Sequence, residues 1–240
     1  MYKKATACLL TLLLAFSFAG CSKTSTKEVT KEIPKSVTKE VPKEVAKDKQ
    51  LTLGKNEGNV YTNDFFKMNI NIPDKWIVAT DEEKTEVLKL GKEVISKDDK
   101  SKAKELTLSE LRTVYLLMTS QKGLKVQSTT ANPNFIVIAE KLSFFQGVKD
   151  GANYLGQVKK QLKTVASTMP YKFDKEIYTE KVGGKSFSIL EATIETGTIK
   201  MTQKYYACVL NGYALSFIST YTDDVGAKSL DGVIKSVTFK

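Results

Sequence analysis

Histidine is absent from this 240-residue chain, and that single absence removes several chemistries at once. Without an imidazole there is no Ser-His or Cys-His nucleophile pair, no His-Glu-x-x-His zinc site, and no side chain whose ordinary pKa suits proton shuttling near neutrality. Arginine is almost as scarce: Arg112 is the single arginine among 37 basic residues. Nucleic-acid readers rely on arginine forks for bases and phosphates, so a surface built from lysine argues against a nucleic-acid partner. Scattered lysine instead means solvation, with mild attraction to an anionic membrane or wall polymer as a second consequence. Cysteine is limited to Cys8, Cys21 and Cys208, too few and too badly placed for a disulfide framework. Cys208 falls inside a strand pattern and is expected to be a small core residue.

What is present begins with an export signal over residues 1–20. Lys3 and Lys4 precede an apolar stretch centred on Leu9 to Phe18, and small residues follow before a cysteine. The stretch is too short and wrongly flanked for a permanent membrane span. Phe18-Ala19-Gly20-Cys21 resembles the lipobox of bacterial lipoproteins; Ala19, Gly20 and Cys21 match it, and Phe18 stands where leucine is preferred. The resemblance implies that Cys21 receives a diacylglyceryl thioether and becomes the mature N-terminus, anchoring the protein to the outer face of a membrane. Two acyl chains suffice for stable anchoring where one does not.

Residues 21–50 form a low-complexity tether. A four-residue repeat runs through Lys27-Glu28-Val29-Thr30, Lys31-Glu32-Ile33-Pro34 and on to Lys43-Glu44-Val45-Ala46. Pro34 and Pro42 interrupt any helix, and the β-branched residues are too sparse to form a core. At the polyproline rise such a tether reaches about 90 Å. The formal charge of +10 is spread thinly: residues 51–240 carry 27 basic against 22 acidic groups. One domain is expected over 51–240.

Within that domain the organising stretch is Lys185 to Tyr221, which reads as three antiparallel strands. Leu190, Ala192 and Ile194 alternate with Glu191, Thr193 and Glu195, the period of a half-buried strand. After Thr196-Gly197-Thr198 the next run sets Met201, Tyr205, Ala207 and Val209 against Lys204, Tyr206 and Cys208. Asn211-Gly212 then supplies the two positive-φ residues of a type I′ hairpin, and Tyr213 to Tyr221 returns. Upstream, Tyr61 to Ile72 alternates as a strand stopped by Pro73, and Trp76 is expected to plug one end of the core. Asp81 to Ser96 predicts a helix with Asp81 as its cap and Val87, Leu90 and Val94 on one face. Lys97 to Lys104 reads as a charged loop, Thr107 to Glu110 as a capping-box turn, and Thr113 to Ser120 as a buried strand. Phe135 to Lys141 is a continuous apolar strand, and Gly147 to Thr168 the longest helix, with Val148, Ala152, Leu155, Val158, Leu162 and Val165 inward and Lys159, Lys160 and Lys163 outward. Ile177 to Val182 adds a strand. Thr222-Asp223-Asp224 caps a helix through Val233, and Ser236 to Phe239 is a last strand.

This order resembles the PsbP-like fold, found in the photosystem extrinsic P protein and in bacterial lipoproteins of the LpqN and DcrB kind. The resemblance rests on the strand ending Ile72-Pro73 before Trp76, on Asn134 to Glu140, and on Gln203 to Phe217 followed by Leu230 to Val237. It covers about residues 59 to 240. It implies an α+β fold, an antiparallel β-sheet sandwiched between helices, with no catalytic motif and a role as an assembly factor, accessory subunit or binding module.

Candidate chemistry is thin. Ser-x-x-Lys occurs at Ser101 to Lys104 and Ser36 to Lys39, in polar stretches where nothing would lower a lysine pKa. Asp98-Asp99 and Asp223-Asp224 lack the alternating oxygens of a calcium loop, so no metal and no cofactor is expected. Tyr205, Tyr206, Tyr213 and Tyr221 cluster on adjacent strands and are the candidate partner-binding residues, with cross-strand packing as the plainer account. The expected function is a non-enzymatic module that binds another envelope component, a protein or a wall polymer. Two alternatives stand beside it: a carrier of a small apolar ligand, and an envelope hydrolase with a lysine or carboxylate site. A cleft that desolvates an acid or lysine would favour the enzyme, and an apolar cavity the carrier.

Overall fold

The structure, a computed structural model, describes residues 50–96, 112–124, 132–142, 147–164, 169–196 and 199–240. The expected signal segment, Cys21, the tether, the loop at 97–104 and the turn at 107–110 lie outside the described residues, as do both Ser-x-x-Lys motifs and Asp98-Asp99. Among the described residues no helix is long and apolar enough to cross a membrane.

The fold is α+β and antiparallel, as expected. The meander forms β9 (Lys185–Thr196), β10 (Ile199–Leu210) and β11 (Tyr213–Tyr221). Asn211 and Gly212 both take positive φ, 52° and 78°, as a type I′ hairpin requires. Outward from β11 lie β6 (Asn134–Lys141), β5 (Thr113–Ser120) and the two-residue β4 (Ile77–Val78). Outward from β9 lie β7 (Tyr171–Lys172) and β8 (Tyr178–Val182), both paired to it. These eight strands form one sheet.

Each face of this sheet buries its own core. Strand alternation sends Ile136, Ile138, Leu190, Ala192, Ile194, Tyr205, Ala207 and Ile218 to one face, and Phe135, Val137, Phe187, Ile189, Tyr206, Cys208, Leu215 and Phe217 to the other. The first face is covered by helices α1 (Asp81–Ser96) and α2 (Gly151–Thr164). The second is covered by helix α3 (Asp224–Ser236) and by a separate four-stranded sheet of β1 (Lys55–Glu57), β2 (Val60–Asn63), β3 (Met68–Asn71) and β12 (Thr238–Phe239). Helices therefore flank the large sheet on both sides, with the small sheet sharing the second side. Cys208 is buried in that second core, where desolvation pushes its thiol pKa up to about 12, and Trp76 packs partly buried against the same core.

Several local expectations are corrected. Tyr61 to Ile72 is a β2–β3 hairpin rather than one strand, reversing through a turn that ends at Lys67 with φ of 52°. Its alternating pattern survives because Tyr61, Met68 and Ile70 all point into the second core. The cap of α1 is Thr80, not Asp81. The Thr80 hydroxyl accepts from the Glu83 amide at 3.2 Å while the Glu83 carboxylate accepts from the Thr80 amide at 3.0 Å, a reciprocal capping box. Asp81 instead pairs with Lys84. Val87 is buried; the side chains of Leu90 and Val94 lie outside the described residues.

Helix α2 begins at Gly151 rather than Gly147, because Asp150 caps it: the Asp150 carboxylate accepts from the Asn153 amide at 2.8 Å. Val165 lies outside the described residues. Asp223 caps α3 by accepting from the Gly226 amide at 2.7 Å, and that helix continues to Ser236, beyond the expected Val233. Lys160 and Lys163 are exposed, while Lys159 leans over the Phe173 ring at 5.5 Å.

Candidate functional site

The four candidate tyrosines do not share one surface. Tyr205 is 1% exposed on the α2 side of the sheet, where its hydroxyl donates to the Gln203 carbonyl oxygen at 2.6 Å and the Gln203 amide donates to Thr220 at 3.1 Å. It is a core residue. Alternation puts Tyr206 on the opposite face, at 3% exposure, and there Tyr213 meets Phe65 and Phe66 edge-on at 5.5 and 6.2 Å, closing the end of the second core. Tyr221, half-buried, shares that face.

The strand registers show what surrounds Tyr206 and Tyr221. Directly opposed residues form cross-strand rows, and one row runs Tyr178, Ile189, Tyr206, Phe217 across β8, β9, β10 and β11. The next row toward the β9–β10 turn is Glu191, Lys204, Ser219, and the one after it is Thr193, Thr202, Tyr221. The last is Glu195 with Lys200. One face of the sheet thus passes from an apolar, aromatic core through the buried Ser219 and Thr193 to the half-buried or exposed Glu191, Lys204, Thr202, Glu195 and Lys200, flanked by Tyr178 and Tyr221.

Charge on this surface is balanced by pairing. Lys175 meets Glu191 at 3.3 Å and Lys172 meets Glu195 across the edge of β9. The pKa of Tyr178 is raised by burial, with Lys204 opposing the shift and Glu180 and Glu191 adding to it. Burial also raises that of Tyr221, reinforced by the charges of Glu191 and Asp231. Both tyrosines therefore remain neutral donors at physiological pH. The result is a face of aromatic rings, hydroxyls and lysine–glutamate pairs.

Tyr178 was missed in the sequence, although its position can be counted. The Gly183-Gly184 turn sets Val182 opposite Lys185, which places Tyr178 opposite Ile189, and the two meander turns carry the row on to Tyr206 and Phe217.

A second feature lies on the other face. Glu140, the only charged residue that is buried among the described residues, is 0% exposed beneath α2. Its Oε2 accepts from the Tyr154 hydroxyl at 3.1 Å, its Oε1 has no hydrogen-bond partner, and Thr113, directly opposite on β5, holds a buried hydroxyl also without one. Burial pushes the carboxyl pKa up to about 7, against smaller opposing effects from the Tyr154 hydrogen bond and the Arg112 charge. Glu140 carried no signal in the sequence, since a glutamate followed by lysine at a strand end reads as an exit to solvent. The carboxyl is desolvated where Tyr154 of α2 packs over it. Among the described residues no cluster of three or more metal-ligating side chains occurs, and Asp223 is occupied by capping.

No protein-family model matches the chain, and no curated protein matches it. Among solved structures it is similar to LpqN, involved in cell envelope biogenesis of Mycobacterium tuberculosis, at 12% identity and a TM-score of 0.40, over 71% of this chain and 82% of that one. It is also similar to cyanobacterial PsbP (CyanoP) from Synechocystis sp. PCC 6803, at 12% identity and a TM-score of 0.47, over 78% of this chain and 99% of that one. The likeness is one of fold. Both structures carry names to which the sequence resemblance pointed, and function is argued from the residues of this chain alone.

Proposed function

We propose that the protein is a lipid-anchored, extracytoplasmic binding module, held to the membrane through Cys21 and presenting the polar half of its large sheet to another envelope component, a protein or a wall polymer. The observation that carries this reading is the graded sheet face. Its cross-strand rows turn from buried aromatics to the half-buried Glu191, Thr202 and Lys204, with Tyr178 and Tyr221 half-buried at its margins. Tyrosines held on a rigid sheet supply large contact area at low entropic cost, and an ordered surface of this kind binds without reorganisation. The tether supports the same reading, since a long, polar, proline-interrupted spacer serves a domain that must reach beyond the membrane surface.

The test uses the full-length chain recovered from membranes. Cys21→Ser is expected to release the protein from the membrane or block its maturation. Tyr178→Ala combined with Tyr221→Ala is expected to keep the protein attached and folded while the envelope component recovered with the wild type is lost. Recovery unchanged in the double variant would remove the sheet face from the proposal, and attachment unchanged in Cys21→Ser, with no lipid found on the N-terminal peptide by mass spectrometry, would remove the anchor.

A further inference from the structure

Glu140 has no part in the binding face, yet burying a carboxyl without a paired cation is among the costliest things a core can do. Its neighbourhood is built closely. Helix α2 approaches the sheet so tightly at Gly151 that a Cβ there would stand 2.1 Å from the Ala207 carbonyl oxygen. That approach, fixed by the Asp150 cap, lays Tyr154 over the β6–β11 pair with its hydroxyl on Glu140. Tyr154, Leu155, Val158 and Leu162 form the buried stripe of α2, so whatever unsettles Tyr154 acts on the whole helix.

We infer that Glu140 is an internal proton-binding site that locks α2 onto the sheet: with its proton the carboxyl is a neutral core group, and without it an unpaired charge lies beneath the helix and loosens its docking. The protonated carboxyl gains a donor at the oxygen that otherwise lacks a partner. The Thr113 hydroxyl, on the residue directly opposite, also lacks a partner and can accept from that proton, at the spacing of about 5 Å between Cβ atoms that opposed residues have. Among the described residues the groups facing the site are few. From the β5 side come Arg112 and Tyr115; from α2 comes Tyr154, whose own pKa is driven far up by burial, then by the Glu140 charge; from β11 come only Ala214, opposite Glu140, and Ser216. Arg112 favours the charged form, but desolvation outweighs it.

The direction of the effect follows from linkage. The folded-state value near 7 stands above the ordinary 4.5, so the folded state keeps a proton that the unfolded chain has lost. The stability this confers is complete below pH 4.5 and is lost as pH rises through 7, a change of roughly 300-fold in the unfolding equilibrium constant for that separation of values. The inference stands whichever partner the sheet face binds.

The experiment is a pH titration of the full-length chain labelled with carbon-13 at the glutamate carboxyls, alongside unfolding equilibria and amide exchange of α2 between pH 4.5 and 8. One carboxyl is expected to titrate near neutrality, and that resonance is expected to be missing from Glu140→Gln. The pH dependence of unfolding between 5 and 8 is expected to flatten in the same variant, and α2 amides in the wild type are expected to open more readily at pH 8 than at pH 5 after correction for intrinsic exchange. A wild type in which every glutamate titrates below pH 5 overturns the inference, even if Glu140→Gln fails to fold. So does a Glu140→Gln chain that folds and keeps the full pH dependence, or a carboxyl that titrates near neutrality while α2 exchange stays constant.

Discussion

On the α2 side of the large sheet, polar side chains lie inside the core: Glu140 with Tyr154, and Gln203 with Tyr205 and Thr220. On the opposite side the core is mainly aromatic, with Phe135, Phe187 and Phe217 in ring contact, and its polar members are Asn63 on the Tyr61 hydroxyl and the rows beyond Tyr206. The same strands serve both faces, so the difference comes from what covers them. Two helices, with α2 seated through Gly151 and its stripe of Tyr154, Leu155, Val158 and Leu162, leave room for side-chain hydrogen bonds, whereas a second sheet plus a helix closes over rings. The first arrangement ties stability to hydrogen bonds and protonation, and the second ties it to volume.

The sharpest way to break that contrast is on the aromatic side. Phe217 is fully buried and touches Phe135 and Phe187 at centroid distances of 5.8 and 5.0 Å. Phe217→Ala is expected to lower stability by about 3–5 kcal/mol at any pH between 5 and 8, as truncation of a packed ring does. Denaturant unfolding at two pH values checks it, and a loss that depended on pH would mean the two cores are coupled. The next effect lies at the helix contact. Gly151→Ala places a methyl against the Ala207 carbonyl and is expected to cost about 1–3 kcal/mol by overpacking, with α2 amides exchanging faster than those of the sheet. Uniform loss across the molecule would show instead that α2 and the sheet unfold as one unit.

The legible parts of this fold are those set by local chemistry. The meander could be read with its register, because Asn211-Gly212 and Gly183-Gly184 fix turn geometry and alternation does the rest. The inward face of α2 could be read from its spacing at Leu155, Val158 and Leu162, but the expected Ala152 is exposed, Val148 precedes the helix, and Tyr154 is buried instead. The start of that helix could not be read, because Asp150 rather than the apolar pattern terminates it. The division of Tyr61 to Ile72 into a hairpin was hidden, since both of its strands point the same residue types into one core. The site was legible only in part. Parity already separates Tyr205 from Tyr206, and four tyrosines near one another in sequence lie on two faces in space. Glu140 was out of reach because its burial depends on how the next helix, α2, folds back across the end of β6, a tertiary contact that local pattern does not specify.

Tyr205 sharpens the comparison at a smaller scale. Replacing it with phenylalanine keeps the ring and removes the hydroxyl that donates to the Gln203 side-chain oxygen at 2.6 Å. Tyr205→Phe is expected to cost about 1 kcal/mol, the scale of one lost buried hydrogen bond. Tyr206→Phe, on the other face, provides the control. A larger loss there than at Tyr205 would reverse the assignment of polar and aromatic cores.

The smallest effect on stability is expected where the binding role is proposed. Tyr221 is half-buried at the end of β11, opposite Thr202, and Tyr178 opposes Ile189 on a short edge strand. Neither ring is enclosed, so Tyr221→Ala is expected to shift the unfolding free energy by about 0.5 kcal/mol, the scale of surface substitutions. If the sheet face is the contact surface, the same change weakens partner binding about tenfold, which corresponds to about 1.4 kcal/mol. Binding would then respond more than stability, the reverse of the order expected for Tyr205. Measuring both quantities for Tyr221→Ala and Tyr205→Phe in the full-length chain separates a contact residue from a packing residue. Equal ratios in the two variants would mean that the polar rows are only the solvated margin of the aromatic core.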